Sequence, residues 1–116
     1  MKILNQLQDL IEQAKTRRSI NQYISDDNIV AYIRITSRLI DRQMVKTIDI
    51  GNVEVNQDSQ GKGVFKGFLS GVELIAKREG RAVYIESILS PILMEKLPQY
   101  GYTSNNEICP SFHKTF

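Results

Sequence analysis

The sequence predicts an α/β domain in which helices flank a mixed central β-sheet. Two amphipathic helix patterns, one at the N-terminus and one in the middle of the chain, alternate with segments rich in β-branched residues. A strand, a helix and a second strand in succession form a crossover that pairs the two strands in parallel. The last segment predicts one or two antiparallel strands, so the sheet should contain both kinds of pairing.

The composition is that of one folded domain over residues 1–116. A chain of 116 residues can bury a core of its own, and 41% hydrophobic with 24% charged residues is ordinary for a globular protein. The 15 Lys and Arg are interspersed among 13 Asp and Glu. The densest basic cluster, residues 15–18, falls at a predicted helix end, where cations complement the helix dipole. We therefore expect no nucleic-acid partner.

The numbers of cysteines and histidines and the hydropathy of the chain argue against several other classes of protein. Cys109 and His113 are the single members of their residue types, so neither an internal disulfide nor a metal site is expected. The N-terminal segment interleaves polar with apolar residues, unlike a signal peptide. No window approaches the roughly 20 apolar residues of a membrane span. We expect a cytoplasmic protein without membrane contacts.

The first half of the chain predicts one helix followed by strands. Apolar residues recur at helical spacing over residues 2–17. Residues 29–35 predict a strand, and we expect no strand ahead of it. A second strand is predicted near residues 37–40, and a turn at residues 41–43 leads into a longer strand over residues 45–55.

The second half begins with the most regular helical pattern of the chain. Its apolar stripe covers residues 65–76, and Gly80 supplies the stop of the helix. Gly67 and Gly71 lower the helix propensity but permit the close approach of a neighbouring backbone. A strand is predicted over residues 82–88.

The C-terminal part predicts shorter elements. Ser90-Pro91 suits a helix start, and a short helix over residues 92–97 is expected before Pro98. Residues 100–102 form a turn that leads into the last segment, residues 108–116.

A short glycine loop joins the long predicted strand to the central helix. Its sequence is Gln60-Gly61-Lys62-Gly63. Glycine lets a main chain approach an anion without a Cβ in the way, and the positive end of the following helix points to the same place. Loop and helix together indicate a ligand that carries phosphate groups.

This order of elements resembles the GNAT superfamily of acyl-CoA-dependent N-acetyltransferases over roughly residues 29–116. The family motif is Gln/Arg-x-x-Gly-x-Gly/Ala. Gln60 and Gly63 match it, whereas Phe65 stands where a small residue is usual. The family's first strand has no counterpart here, so we expect a GNAT-like fold with a reduced N-terminal part, or a sheet edge that a homodimer partner completes.

The resemblance implies acetyl-CoA as the cofactor and assigns residues to it. Family loops of this kind hold the pyrophosphate with backbone amides, which here belong to Gly61, Lys62, Gly63, Val64 and Phe65. The Gln60 side chain is expected to take part, and Lys62 and Lys66 could add charge. Pantetheine lies in the family between two splayed strands and pairs with the main chain at positions that match Val53, Glu54 and Val55.

The implied reaction transfers an acetyl group to an amine, for which a base and an acid are needed. Asp49, eleven residues before Gln60, is the first base candidate, and Glu54 is the second. Either carboxylate could instead occupy a solvent-facing strand position. The family's usual tyrosine position falls on Leu97, so Tyr100 is the substitute candidate for the acid. Ser87 or Ser90 could contact the thiol region.

Other functions remain open from the sequence. For a dinucleotide site of the form Gly-x-Gly-x-x-Gly, Gly67 comes one residue late, and a second crossover unit is missing. The stronger alternative is a binding or interaction protein that keeps the GNAT fold without transfer activity. The acceptor amine, whether of a small molecule or of a protein, is not encoded in a recognisable pattern.

Overall fold

The computed structural model describes residues 1–17, 19–86 and 90–116. The N-terminal half contains α1 (Lys2–Ala14), β1 (Ile20–Ser25), β2 (Ile29–Ile40) and β3 (Gln43–Val55). A 3-10 turn (Gln57–Ser59) then leads to α2 (Val64–Glu79), β4 (Ala82–Ile85), α3 (Pro91–Gln99), β5 (Thr103–Ser104) and β6 (Phe112–Lys114). Within the described ranges, no helix has the length and apolar character that crossing a membrane requires.

The strands form one mixed sheet in the order β1-β2-β3-β4-β6-β5. β3 and β4 pair in parallel, and the other neighbours are antiparallel. The predicted fold class is confirmed. The chain enters β4 from α2, so the parallel pair is joined by the helical crossover that the strand, helix and strand pattern predicts.

The core lies between one face of the sheet and the helices. Ile33 and Ile35 of β2 stand opposite Ile50 and Ile48 of β3, and all four are buried. They form one cluster with the apolar stripes of α1 and α2 and with Leu97 of α3. Because side chains alternate along a strand, the residues between them lie on the other face, and many of these are polar.

Two predictions about the first strands are wrong. A strand does precede residue 29, because β1 pairs with β2 from Ile20↔Ile35 to Ser25↔Val30. Only Ile24 of β1 is buried, and an edge strand with a single buried residue shows no alternating pattern. Residues 29–40 form one strand rather than two, because pairing with β3 continues in regular register from Ile33 to Ile40. β1 is an open sheet edge in the described structure, and the homodimer stays a prediction.

The turn predicted at residues 41–43 joins β2 to β3. Asp41 and Arg42 have φ values of 50° and 67°, which are the left-handed values that a tight hairpin turn requires at both central positions. β3 therefore begins at Gln43.

A β-bulge interrupts the pairing of β2 and β3 near the end of β3. Val30 stands opposite Glu54 and Tyr32 opposite Gly51, so one residue of β2 faces two of β3. Asn52, inside the bulge, has a φ of 39°. The extra residue reverses the alternation of faces, so Glu54 lies on the same face of the sheet as Gly51, away from the core.

α2 agrees with its prediction at both ends. It begins after Gly63 and ends at Gly80, which is left-handed and donates to carbonyls of the last turn. A Cβ at Gly71 would overlap the Leu4 side chain of α1, so this glycine allows the two helices to pack closely. Gly67 has no such neighbour in the part of the chain that the structure describes.

The C-terminal elements differ from their predictions in length. α3 begins at Pro91, with Ser90 as its cap, and continues through Pro98 in its last turn. β5 lies ahead of the segment in which the last strands were predicted, and β6 pairs with both β4 and β5. The predicted strand over residues 82–88 ends at Ile85, and residues 87–89 lie outside the described ranges.

Candidate cofactor and acyl-transfer site

β3 and β4 separate at the end of their parallel pairing. The last paired residues are Ile50 and Ile85, and the Glu86 amide donates one further hydrogen bond to the Ile50 carbonyl oxygen at 2.9 Å. β3 continues to Val55 without a described strand on that side. We call this opening the fork. The main chain along it includes the three predicted pantetheine positions, Val53, Glu54 and Val55.

The glycine loop follows β3 and the 3-10 turn. The side-chain amide of Gln60 donates to the Val55 carbonyl oxygen at 3.1 Å, which ties the loop to the end of β3. Gly61 and Gly63 have φ values of +76° and +74°, a conformation that favours glycine. Apart from its chain neighbours, a Cβ at either position would have no atom of the described residues within 4 Å. The loop backbone is therefore open to a ligand.

The N-terminus of α2 adds hydrogen-bond donors to this loop. Gly63 is the N-cap, and no described side chain caps the helix. The first amides of a helix, here those of Val64, Phe65 and Lys66, have no carbonyl one turn earlier to which they can donate. These amides and the helix dipole favour an anionic group at this end.

A cavity of about 300 Å³ lies between the glycine loop and α3. We call it the loop cavity. The predicted cofactor residues that line it are Val55, Gln60, Gly61, Gly63, Val64 and Phe65. Lys66 of α2 and Lys96 of α3 also line it, so each wall carries a cation. Lys62, Val53 and Glu54 are not part of the lining.

Tyr100, the predicted acid, follows α3 and lines the loop cavity. The centre of the Tyr100 ring lies 5.7 Å from Lys66 Nζ. The Tyr100 carbonyl oxygen accepts a hydrogen bond from Lys114 Nζ at 2.8 Å. Leu97, at the family's usual tyrosine position, is fully buried in the core. The structure therefore brings Tyr100, and no other described tyrosine, to the glycine loop.

Asp49, the first base candidate, is buried in the middle of β3 with 0% of its surface exposed. Its Oδ1 accepts from Thr47 Oγ1 at 2.6 Å, and its Oδ2 accepts from Arg38 Nε at 2.7 Å. Burial raises the pKa of Asp49 above its ordinary value, whereas the hydrogen bonds from Thr47 and Arg38 oppose this rise. Both oxygens are hydrogen-bonded and the side chain has no exposed surface, so the Asp49 carboxylate does not contact an acceptor amine directly in this arrangement.

Arg38 connects Asp49 to a second carboxylate, Glu86. Arg38 Nη2 donates to Glu86 Oε1, and Arg34 Nη1 donates to the same oxygen at 2.9 Å. Glu86 Oε2 accepts no hydrogen bond from the described residues, and it lies 3.1 Å from the place a Cβ on Gly51 would take. Glu86 therefore presents one oxygen at the fork.

Sequence reasoning missed Glu86, Arg34 and Arg38. Arg38 and Glu86 are separated by 48 residues, so no local spacing reports their contact. One signal was present: Arg34 and Arg38 recur at even spacing in a strand rich in isoleucine, which places both on the face away from the core.

Glu54, the second base candidate, is exposed and lies near another cavity, of about 340 Å³, with Asp26 and Asp27. It is thus not brought together with Tyr100. Ser90 caps α3 by accepting from the Leu93 amide at 3.4 Å, and Ser87 lies outside the described ranges.

Comparison with known proteins identifies the fold. No protein-family model and no curated protein sequence matches the chain. A candidate acetyltransferase from Agrobacterium tumefaciens superposes with a TM-score of 0.59 at 18% identity, over 97% of this chain and 89% of that protein. An acetyltransferase from Bacillus subtilis in complex with CoA gives 0.54 at 14% identity, over 93% and 83%.

The toxin AtaT gives a similar match. A mutant of AtaT bound to acetyl-CoA and to the C-terminus of the antitoxin AtaR has a TM-score of 0.60 at 11% identity, over 97% of this chain and 78% of the toxin. AtaT is also known in complex with acetyl-methionyl-tRNA, with a TM-score of 0.58 at 10% identity, over 99% and 82%. The chain has a GNAT-like fold.

Proposed function

We propose that the protein is an N-acetyltransferase that binds acetyl-CoA at the glycine loop and transfers the acetyl group to an amine. One observation carries the proposal: on a GNAT-like fold, the open fork between β3 and β4 leads to a glycine loop whose amides and flanking lysines suit a diphosphate. The structural neighbours with CoA or acetyl-CoA support it.

The residues of the loop cavity fit an anionic cofactor. Gly61 and Gly63 lack side chains where the backbone is exposed, and the first amides of α2 are available as donors. Lys66 and Lys96 supply positive charge from opposite walls. Acetyl-CoA would supply the thioester carbonyl that the acceptor amine attacks. The open side of β3 at Val53, Glu54 and Val55 offers main-chain groups along the fork.

The roles of the acid and base candidates follow from their surroundings. Asp49 is bound on both oxygens, so we assign it, through Arg38, to the positioning of Glu86. Glu86 Oε2 is placed to accept a hydrogen bond from an amine at the fork. Tyr100 remains the acid candidate because it lines the loop cavity. Glu54 would act only on an acceptor that reaches the exposed end of β3.

A binding protein without transfer activity is the second candidate. Leu97 is buried where the family has its tyrosine, and Phe65 occupies the place of a small residue in the motif. Calorimetric titration with acetyl-CoA, with NAD as a control, tests binding, and thiol release tests transfer. Acetyl-CoA binding with thiol release supports the enzyme, and binding without release from any amine favours the second candidate. Absence of binding contradicts the enzyme and favours an interaction protein that keeps the fold without the cofactor.

The acceptor screen should span several classes of amine. Small amines and peptides are the first two classes. Because the AtaT neighbour was solved with acetyl-methionyl-tRNA, aminoacyl-tRNA belongs in the screen as a third. Release of thiol with one class only would define the acceptor.

Replacement of Lys96 should weaken cofactor binding without affecting the fold. Lys96 has no ion-pair partner among the described residues and lines the loop cavity. In the variant Lys96→Gln we expect about fivefold weaker acetyl-CoA binding at low salt, and a smaller difference at high salt because surface charges are screened. Calorimetry at two salt concentrations measures this. Lys2→Gln, an equal charge change on α1, is the control, and equal losses in both variants would contradict the assignment.

A further inference from the structure

A second basic cavity lies at the opposite end of the sheet from the fork. Its volume is about 320 Å³, and its lining comes from the end of α1, from neighbouring positions of β2 and β3, and from the segment before β4. We call it the basic cavity. The cations that line it are Lys15, Arg17, Lys46 and Arg81. Val55, at the fork, follows Lys46 by nine positions of β3, which is roughly 30 Å of extended chain.

The charge of the basic cavity is largely uncompensated. Lys15 pairs with Glu12 at 2.7 Å. Glu79 adds a negative charge that acts on both Lys15 and Arg81, but its carboxylate pairs with Arg78 at 3.6 Å. Arg17, Lys46 and Arg81 form no ion pair within the part of the chain that the structure describes. Among the described residues that line the cavity, none carries a carboxylate.

Arg81 is the fixed element of this site. Its Nη1 donates to the Thr36 carbonyl oxygen at 3.2 Å and to the Thr47 carbonyl oxygen at 3.1 Å. These bonds hold the half-buried guanidinium against the main chain of β2 and β3. Its Nε and Nη2 groups donate to no other residue that the structure describes. A guanidinium presents several donors in one plane, which suits the oxygens of a phosphate.

The helix dipole does not account for all of these cations. Lys15 and Arg17 follow the C-terminus of α1, where the dipole amounts to about half a negative charge. Lys46 and Arg81 come from other elements, and the total positive charge exceeds what the helix end requires. The hydroxyl of Ser37, beside Lys46 in the register, adds a neutral donor to the lining.

We infer that the basic cavity binds a small phosphate-bearing anion, such as a free phosphate or a phosphate monoester, at a site distinct from the glycine loop. The inference goes beyond the acetyl-transfer proposal and does not depend on it. Arg81 is the main ligand residue, and Lys46 and Arg17 supply charge at the mouth.

Titration with inorganic phosphate and pyrophosphate, followed by 15N-resolved NMR, tests the site. We expect saturable shifts of the amides of Lys15, Ser37, Lys46 and Arg81, and no saturation with chloride at equal ionic strength. Shifts confined to residues 60–66 would overturn the inference, since they would place the anion at the glycine loop. Binding of a short RNA at the basic cavity, with neither phosphate nor pyrophosphate binding there, would also overturn it.

Two variants keep this test independent of folding. Arg81→Gln should weaken pyrophosphate binding about tenfold, as expected for the loss of one charge-assisted contact. Because Arg81 also holds β2 and β3, Lys46→Gln, at an exposed position, is the second variant and should weaken binding severalfold. Lys2→Gln, about 20 Å away along α1, is the matched control. Unchanged affinity in both variants would refute the site, whereas loss of acetyl-CoA binding in Gly63→Asp leaves it unaffected.

Discussion

The variant Gly63→Asp should lose acetyl-CoA binding by about 100-fold or more while the domain stays folded. Gly63 caps α2 with a φ of +74°, and a Cβ there would have no other atom within 4 Å. Aspartate tolerates this backbone conformation at a cost of about 1 kcal/mol. Its carboxylate would occupy the amides of the first turn and repel a diphosphate by several kcal/mol at close range. Calorimetric titration with acetyl-CoA measures the loss.

The variant Gly63→Asn separates charge from backbone strain. Asparagine has almost the same shape and the same tolerance for positive φ, but it carries no charge. We expect its affinity for acetyl-CoA to stay within about tenfold of the wild type. Equal losses in the two variants would show that strain, not charge, is the cause. Wild-type affinity in Gly63→Asp would remove the glycine loop from the proposed site.

The variant Arg38→Ala should lower the free energy of unfolding by about 3 kcal/mol at neutral pH. It removes the partner of Asp49, which is fully buried, and leaving a buried charge without its partner is strongly destabilising. Arg38 also lies over the Tyr84 ring at 4.2 Å and bonds to Glu86. Urea denaturation at pH 7 measures the loss. Arg34→Ala, which removes a partly exposed contact to Glu86 and a 5.8 Å approach to the Tyr32 ring, is the control and should cost less than about 1 kcal/mol.

The pH dependence of this loss identifies its cause. Burial raises the pKa of Asp49, and without Arg38 this rise has less opposition. A carboxyl whose pKa is higher in the folded than in the unfolded state destabilises the fold as pH rises through the folded value. The penalty in Arg38→Ala should therefore shrink as pH falls from 7 towards about 4. Asp49→Asn in the same background should restore part of the stability, and a loss independent of pH would contradict this account.

Local patterns in the sequence were sufficient for most elements of the fold. The apolar stripes of α1 and α2 and the stop at Gly80 report burial within a few residues, so they could be recognised without the structure. β1 could not, because an edge strand is held mainly by main-chain hydrogen bonds to β2 and needs little apolar pattern. Ser37 and Leu39 of β2 are exposed while still paired with β3, so the alternation of buried residues ends before the strand does. The sequence therefore predicts two strands where the structure has one.

The candidate site was predictable only where it is local. The residues from Gln60 to Phe65 are consecutive, and the loop geometry follows from two glycines ahead of a helix. The contact of Lys96 with the loop cavity and the bond between Arg38 and Glu86 depend on how distant segments pack. The spacing of Asp49 from the loop identified its strand but not its burial, which depends on Thr47 and Arg38.

The bulge at Asn52 decides which side chains at the end of β3 face the helices. In an uninterrupted strand of the same sequence, Glu54 would share the core face with Ile48 and Ile50, and Val55 would point away from it, because side chains alternate along a strand. The bulge turns Val55 back to the core side and keeps Glu54 opposite Val30 on the other face. Deleting Asn52 would therefore remove the bulge and leave both side chains on their present faces. The extra residue acts as a phase correction within one strand, through which the two ends of β3 present their apolar residues to the same core.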